Sequence, residues 1–268
     1  MQILSDFRLH RPASVEEAVQ LRAELGDGAA LYAGGTELLL ALKLGVLEYE
    51  HLIDLKRIPA LKGIEVRDGA LRIGAGATHR EIETSPLVAE HLPALSTLAR
   101  HVANVRVRAA GTLAGNLAFA EPHADPAALL VALGATVELV GSDGPRSLPV
   151  EEFVLGAYET DLGEDELIEA FVVPLPQLET RATYLKFQVL ERPTVGVAAV
   201  ARNGGAPTVV VGAVDEKPVR VEATGEVDAY VDAAREAVDP VDDLSGSAEY
   251  KRHLTGVLVR RALEALAA

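Results

Sequence analysis

The segment "GTLAGN" at residues 111–116 decides how this chain is read. Two glycines, a threonine and an asparagine stand there among small residues, just before the acidic, proline-marked "FAEPHADPAALL". Backbone N–H groups approach an anion closely only where no side chain intervenes, and a helix start adds unpaired donors. The Thr hydroxyl, the Gly and the Asn side chain together suit phosphate or polyol hydroxyls. A second bare stretch, "AGGTELLL" at 33–40, sets Gly34 and Gly35 between a strand-length apolar run and a helix-like one. Taken alone, this second stretch is more often a plain turn than an anion site, and it is neither a Walker loop nor G-x-G-x-x-G. Two such loops can grip one diphosphate from both sides.

Outward from these segments, the periodicity alternates between helix and strand. Ser14 and Glu17 have capping-box spacing, and Val15, Ala18, Val19 and Leu25 share one helical face ahead of Gly26. "AALYA" reads as a strand, and Thr36 opens a helix that ends at Gly45. "HLIDL", "GIEVRDGALRIGAGATH" and "ATVELV" read as strands, with a tight hairpin turn at "RDGA". Residues 80–103 and 126–133 read as helices. "VVPLPQLETR" at 172–181 is the expected linker, since its two prolines suit neither a helix interior nor a central strand. Beyond it come strands "TVGVAAVAR" and "TVVVGAV", then a helix with Tyr250, Leu254, Val257 and Leu258 at helical spacing.

Composition closes off several classes. The 268 residues, 49% hydrophobic, supply a real core. A net charge of −15 from 25 basic and 40 acidic residues argues against nucleic acid and anionic lipid as partners. With no cysteine, thiolate nucleophiles and cysteine-held zinc or iron–sulfur clusters have no ligands in this sequence. No leader pattern or apolar run of about 18 residues stands out, so a cytoplasmic protein without integral membrane contact is expected. The seven histidines show no metal-ligand spacing and the serines no G-x-S-x-G context, so no metal and no hydrolytic site is assigned.

Two further residues carry competing readings. Asp125, directly before Pro126, is placed either as a helix N-cap or as an acceptor for a sugar hydroxyl. Lys186 falls between Leu185 and Phe187 and so lies on the opposite strand face from both, the ordinary position of a solvated lysine.

Five stretches in order, "YAGGTELLLALKLG", "LRIGAGATHREIETSPLVAEHLPAL", "GTLAGNLAFAEPHADPAALLVALGA", "DELIEAFVVP" and "YLKFQVLERPTVGVAAVAR", resemble the FAD-binding medium subunit of molybdenum hydroxylases. That family includes the medium subunit of carbon monoxide dehydrogenase and the flavin domain of xanthine dehydrogenase, and the resemblance spans nearly the whole chain. It implies an α+β fold: a two-subdomain, PCMH-like FAD-binding domain, divided as 1–57 and 58–176, followed by a smaller α+β domain at 177–268. It implies FAD as cofactor, with Tyr32, Ala33, Gly34, Gly35, Thr36 and Glu37 forming the first diphosphate loop. Thr112, Leu113, Ala114, Gly115 and Asn116 form the second, Asp125 meets the flavin's hydroxylated chain, Ile168 lies beside the ring, and Lys186 is a polar contact near it. The family pattern Thr-x-Gly-Gly-Asn is broken at Ala114. Were a positive φ required there, alanine would cost about 1 kcal/mol.

The resemblance further implies an electron relay. An iron–sulfur small subunit supplies electrons, a molybdopterin large subunit oxidises the substrate, and FAD passes the electrons to NAD, quinone or oxygen. Two alternatives stand beside it: a stand-alone FAD-dependent oxidase, which needs a larger substrate domain than the chain beyond 181 offers, and a non-enzymatic nucleotide-binding module.

Overall fold

The computed structural model describes residues 5–175, 179–189 and 191–267. The first part contains β1 (Arg8–His10), α1 (Val15–Leu25), β2 (Ala29–Tyr32), α2 (Leu38–Leu44) and β3 (His51–Asp54), with the strands in a parallel sheet ordered β1-β3-β2. The Ser14 hydroxyl accepts from the Glu17 N–H as expected, but the Glu17 carboxylate takes the N–H of Ala13, one residue ahead of the cap. Helix α2 starts at Leu38, two residues later than expected, because Gly35 turns the chain at φ +69°. It ends at Gly45 in the left-handed region, as expected.

The second part opens with the hairpin β4 (Ile64–Arg67) and β5 (Ala70–Gly74), whose turn residues Asp68 and Gly69 both have positive φ. The helix expected over 80–103 is three short ones, α3 (His79–Thr84), α4 (Pro86–His91) and α5 (Pro93–Arg100), because Pro86 and Pro93 each start a new helix. Then come α6 (Val105–Ala110), α7 (Leu113–Phe119), α8 (Pro126–Leu133), β6 (Thr136–Gly141), β7 (Gly144–Pro149), α9 (Val150–Phe153), β8 (Val154–Gly156), β9 (Glu159–Thr160) and β10 (Leu167–Pro174). The sheet order is β4-β5-β10-β6-β7. Val172–Pro174, expected in the linker, finish β10 against Arg72–Ala70 of β5. Pro174 is the last residue of its strand, where it interrupts no ladder. Pro176, Gln177 and Leu178 of the expected linker lie outside the described residues.

The third part is an antiparallel meander, β11 (Thr180–Phe187), β12 (Val195–Arg202), β13 (Thr208–Gly212) and β14 (Val219–Val221), followed by α10 (Val227–Ala237) and α11 (Ala248–Ala267). Both faces of this sheet are covered, which is why its central strands read as unbroken apolar runs. Ala198, Val200 and Val210 join the core of the first two parts, while Val197, Ala199, Val209 and Val211 join a second core under α10 and α11. The α11 stripe differs from expectation by about one residue. Lys251, Thr255, Leu258, Val259 and Ala262 are buried, and Tyr250 is exposed. Lys251 is accommodated because its ammonium meets Asp243 at 2.6 Å and donates to the Val241 carbonyl at 2.9 Å. Among the described residues, no helix is long and apolar enough to cross a membrane.

Candidate functional site: a cavity between two glycine segments

Both glycine segments face one cavity of about 1070 Å³. Tyr32, Ala33, Gly34, Gly35, Thr36 and Glu37 line it from the first segment, and Thr112, Ala114, Gly115 and Asn116 from the second. Asp125 and Ile168 line it too. Leu113 and Lys186 are not among its lining residues: Leu113 turns into the core.

Strand β2 delivers the first segment. Tyr32, its last residue, lies under the Lys56 ammonium, 3.3 Å from the ring centroid. The same ammonium meets Asp54 at 2.8 Å and the Ala33 carbonyl at 3.3 Å, which ties the start of the turn to β3. A Cβ on Gly34 would stand 2.2 Å from the Ala110 carbonyl oxygen. Gly35 has a left-handed φ, and a Cβ there would stand 2.2 Å from the Tyr32 ring. The N–H groups of Gly35 and Thr36 make no hydrogen bond among the described residues.

The second segment is a helix start. Thr112 caps α7, its hydroxyl accepting from the Gly115 N–H at 3.0 Å. Leu113 donates to the Ala77 carbonyl, Asn116 to the Thr112 carbonyl, and the Gly111 carbonyl accepts from His79. Of the donors that open a helix, the Ala114 N–H is left without a partner among the described residues. Ala114 is helical and is not among the positive-φ residues, so the strain considered for this position does not arise. Its methyl sits 5% exposed against the core. The Asn116 side-chain oxygen is buried with no hydrogen-bond partner among the described residues. His79, behind this segment, is held down at about 4 by burial and by the nearby Arg108 charge, so it is neutral in the fold.

Asp125 does not cap α8. Its backbone is already helical (φ −67°, ψ −45°), and its carboxylate accepts from the Tyr184 hydroxyl at 2.9 Å and from the Lys186 ammonium at 3.0 Å. The residue is 4% exposed, and burial pushes its carboxyl above the ordinary range while Lys186 and Tyr184 pull the other way. Lys186 is on the opposite strand face from Leu185 and Phe187, as expected, but that face meets α8 and not solvent. Its side chain is 12% exposed and also donates to the His101 carbonyl at 2.7 Å. The solvated reading of Lys186 is therefore corrected, and its polar contact is Asp125.

Sequence reasoning missed Arg192 and Tyr184. Arg192, on the β11–β12 connection, lines the cavity and bridges Glu37 at 3.2 Å and Glu121 at 2.9 Å. Burial would raise Glu121, yet the hydrogen bond with His123 and the Arg192 charge hold it below the usual carboxylate range. A connecting segment has no periodicity to flag such a residue. Tyr184 carried a signal, because it has the same strand parity as Lys186.

A family model described as the FAD binding domain in molybdopterin dehydrogenase matches residues 5–176. The chain belongs to this family. It is 37% identical to the carbon monoxide dehydrogenase medium chain of Hydrogenophaga pseudoflava, across 97% of this chain and 96% of that one. The putative xanthine dehydrogenase FAD-binding subunit of Escherichia coli K12 is 28% identical, across 97% and 96%. A solved structure of carbon monoxide dehydrogenase from Hydrogenophaga pseudoflava contains a chain that superposes with a TM-score of 0.95 at 36% identity, covering 99% of this chain and 98% of that one. The α+β, FAD-binding expectation is thereby met, and this is an FAD-binding chain of the molybdenum hydroxylase family. The cavity's donors fit that cofactor: unpaired N–H groups suit a diphosphate, and the unpartnered Asn116 oxygen suits a hydroxyl or N–H donor.

Proposed function

We propose that this chain is the flavin-bearing electron relay of a molybdenum hydroxylase, and that the cavity between the two glycine segments is where FAD sits. One observation carries the reading. Gly35 and Thr36 on one segment and Ala114 on the other have N–H groups with no partner among the described residues, and all three residues line the same cavity. Residues 33–37 and 112–116 hold the diphosphate from its two sides, with Tyr32 bracing the first segment and Leu113 anchoring the second. Asp125 accepts from the flavin's hydroxylated chain, Ile168 packs beside the ring, and Lys186 acts through Asp125. The division at 1–57, 58–176 and 177–268 is retained.

When bound, FAD accepts electrons singly and gives them up singly or as hydride. The chain's own residues bind it and orient it, and Arg192 lines the same cavity while bridging Glu37 and Glu121. Lacking cysteine, these 268 residues hold no thiolate-ligated cluster of their own. Electrons therefore come from an iron–sulfur small subunit, after a molybdopterin large subunit has oxidised the substrate, and leave for NAD, quinone or oxygen. The setting is cytoplasmic. The test is turnover by the purified, FAD-loaded chain. No oxidation of aldehydes, purines or carbon monoxide is expected without partners, while chemically reduced flavin is reoxidised by an added acceptor. Substrate turnover by the chain alone would overturn the relay reading in favour of a stand-alone oxidase.

A further inference from the structure

We propose that Tyr184, seated in the gap left by Gly196, is a positioning residue that aims the Asp125 carboxylate into the cavity, so that flavin affinity depends on how the C-terminal sheet docks. The inference rests on the FAD reading of the cavity given above.

Tyr184 pairs with Ala198 across β11 and β12, and Gly196 pairs with Lys186, so Tyr184 and Gly196 are diagonal neighbours on one sheet face. The phenol leans over Gly196 to reach the start of α8. A Cβ on Gly196 would stand 2.3 Å from the Tyr184 hydroxyl oxygen and 3.0 Å from its Cζ. Gly196 has no positive φ that would explain its choice, and it lies in the buried apolar stretch of a strand where the other buried residues are valine and alanine. The room it leaves is filled by Tyr184.

That hydroxyl then donates to one Asp125 oxygen at 2.9 Å while Lys186 donates to the other at 3.0 Å. Two donors on alternate residues of one strand fix both the direction and the rotation of the carboxylate. Asp125 stands at the start of α8, in the second part of the chain, and its two donors on β11 of the C-terminal sheet, where Tyr184 packs against the first core. The acceptor side of the cavity is therefore aimed by a different structural unit from the one that supplies the two glycine segments.

The experiment is a comparison of FAD and ADP binding to the full chain, well below its melting temperature, for Tyr184→Phe, Gly196→Ala and the double variant. ADP has the diphosphate but not the flavin's polyol chain. Tyr184→Phe is expected to weaken FAD on the order of tenfold and leave ADP unchanged. Gly196→Ala should do the same, and the double variant should be no worse than Tyr184→Phe alone, because both act on one hydroxyl. Should Gly196→Ala fail to fold, Tyr184→Phe with the two ligands decides. Unchanged FAD affinity in Tyr184→Phe, a parallel loss of ADP, or additive losses in the double variant would overturn the proposal and leave the FAD reading intact. A wild-type chain that binds neither ligand would overturn both.

Discussion

The two glycine segments look alike in sequence and differ in what makes them bare. In the first, the protein itself forbids a side chain: Gly34 lies against the Ala110 carbonyl, and Gly35 combines a left-handed φ with the Tyr32 ring. In the second, Gly111 is likewise crowded, a Cβ there standing 2.9 Å from the Val107 carbonyl oxygen, but Gly115 is helical, and an added Cβ would meet only the Thr112 hydroxyl, at 3.1 Å. Bare backbone at the first segment is a condition of folding. At Gly115 the protein has no comparable need of it, so a ligand accounts for it better.

The largest effect should come from Gly34→Val. A backbone carbonyl at 2.2 Å cannot step aside cheaply, so a loss of several kcal/mol is expected, read as a fall of roughly 10 °C or more in melting temperature. A melting temperature within a few degrees of wild type would break the comparison. Acid comes next and acts behind the second segment, on the buried ring of His79, a residue whose backbone N–H donates to the Gly111 carbonyl. His79 is at about 4 in the fold against 6.5 in the unfolded chain, so between those values the unfolded state binds the extra proton. Stability is therefore full above pH 6.5 and falls as pH drops toward 4. Urea titrations should show about 2 kcal/mol less at pH 5 than at pH 7, and His79→Gln should flatten that difference.

Gly115→Ala should separate folding from binding. Alanine in a helix gains up to about 1 kcal/mol over glycine, so the melting temperature holds or rises while FAD affinity falls on the order of tenfold. Equal FAD affinity in this variant would mean that no ligand accounts for the bare backbone at Gly115. The smallest effect belongs to Ala114→Gly, which restores the family pattern. It should cost about 0.5–1 kcal/mol of stability by loss of a buried helical methyl and bring no gain in FAD affinity, as isothermal titration can show.

Much of this was legible in the residues because it is encoded locally. The Gly45 stop, the "RDGA" hairpin turn and helix α8 follow from turn and periodicity chemistry at those positions. One departure has a local cause too: the helix expected over 80–103 is divided at Pro86 and Pro93, each of which begins a new one. The partners of Asp125 and Lys186 were not legible, because an N-cap and a solvated lysine are what each position offers alone. Only the docking of the C-terminal sheet on α8 and α5 makes them a pair, 61 residues apart. Arg192 was hidden for the same reason, its two carboxylates being supplied by the two segments' own surroundings.

The most direct test is the visible absorption spectrum of the purified full chain after incubation with FAD and desalting. The account predicts retained flavin bands at about one flavin per chain, weakened in Gly115→Ala while that variant remains as heat-stable as wild type. A colourless chain, alone and again when co-expressed with the proposed iron–sulfur and molybdopterin subunits, would contradict it.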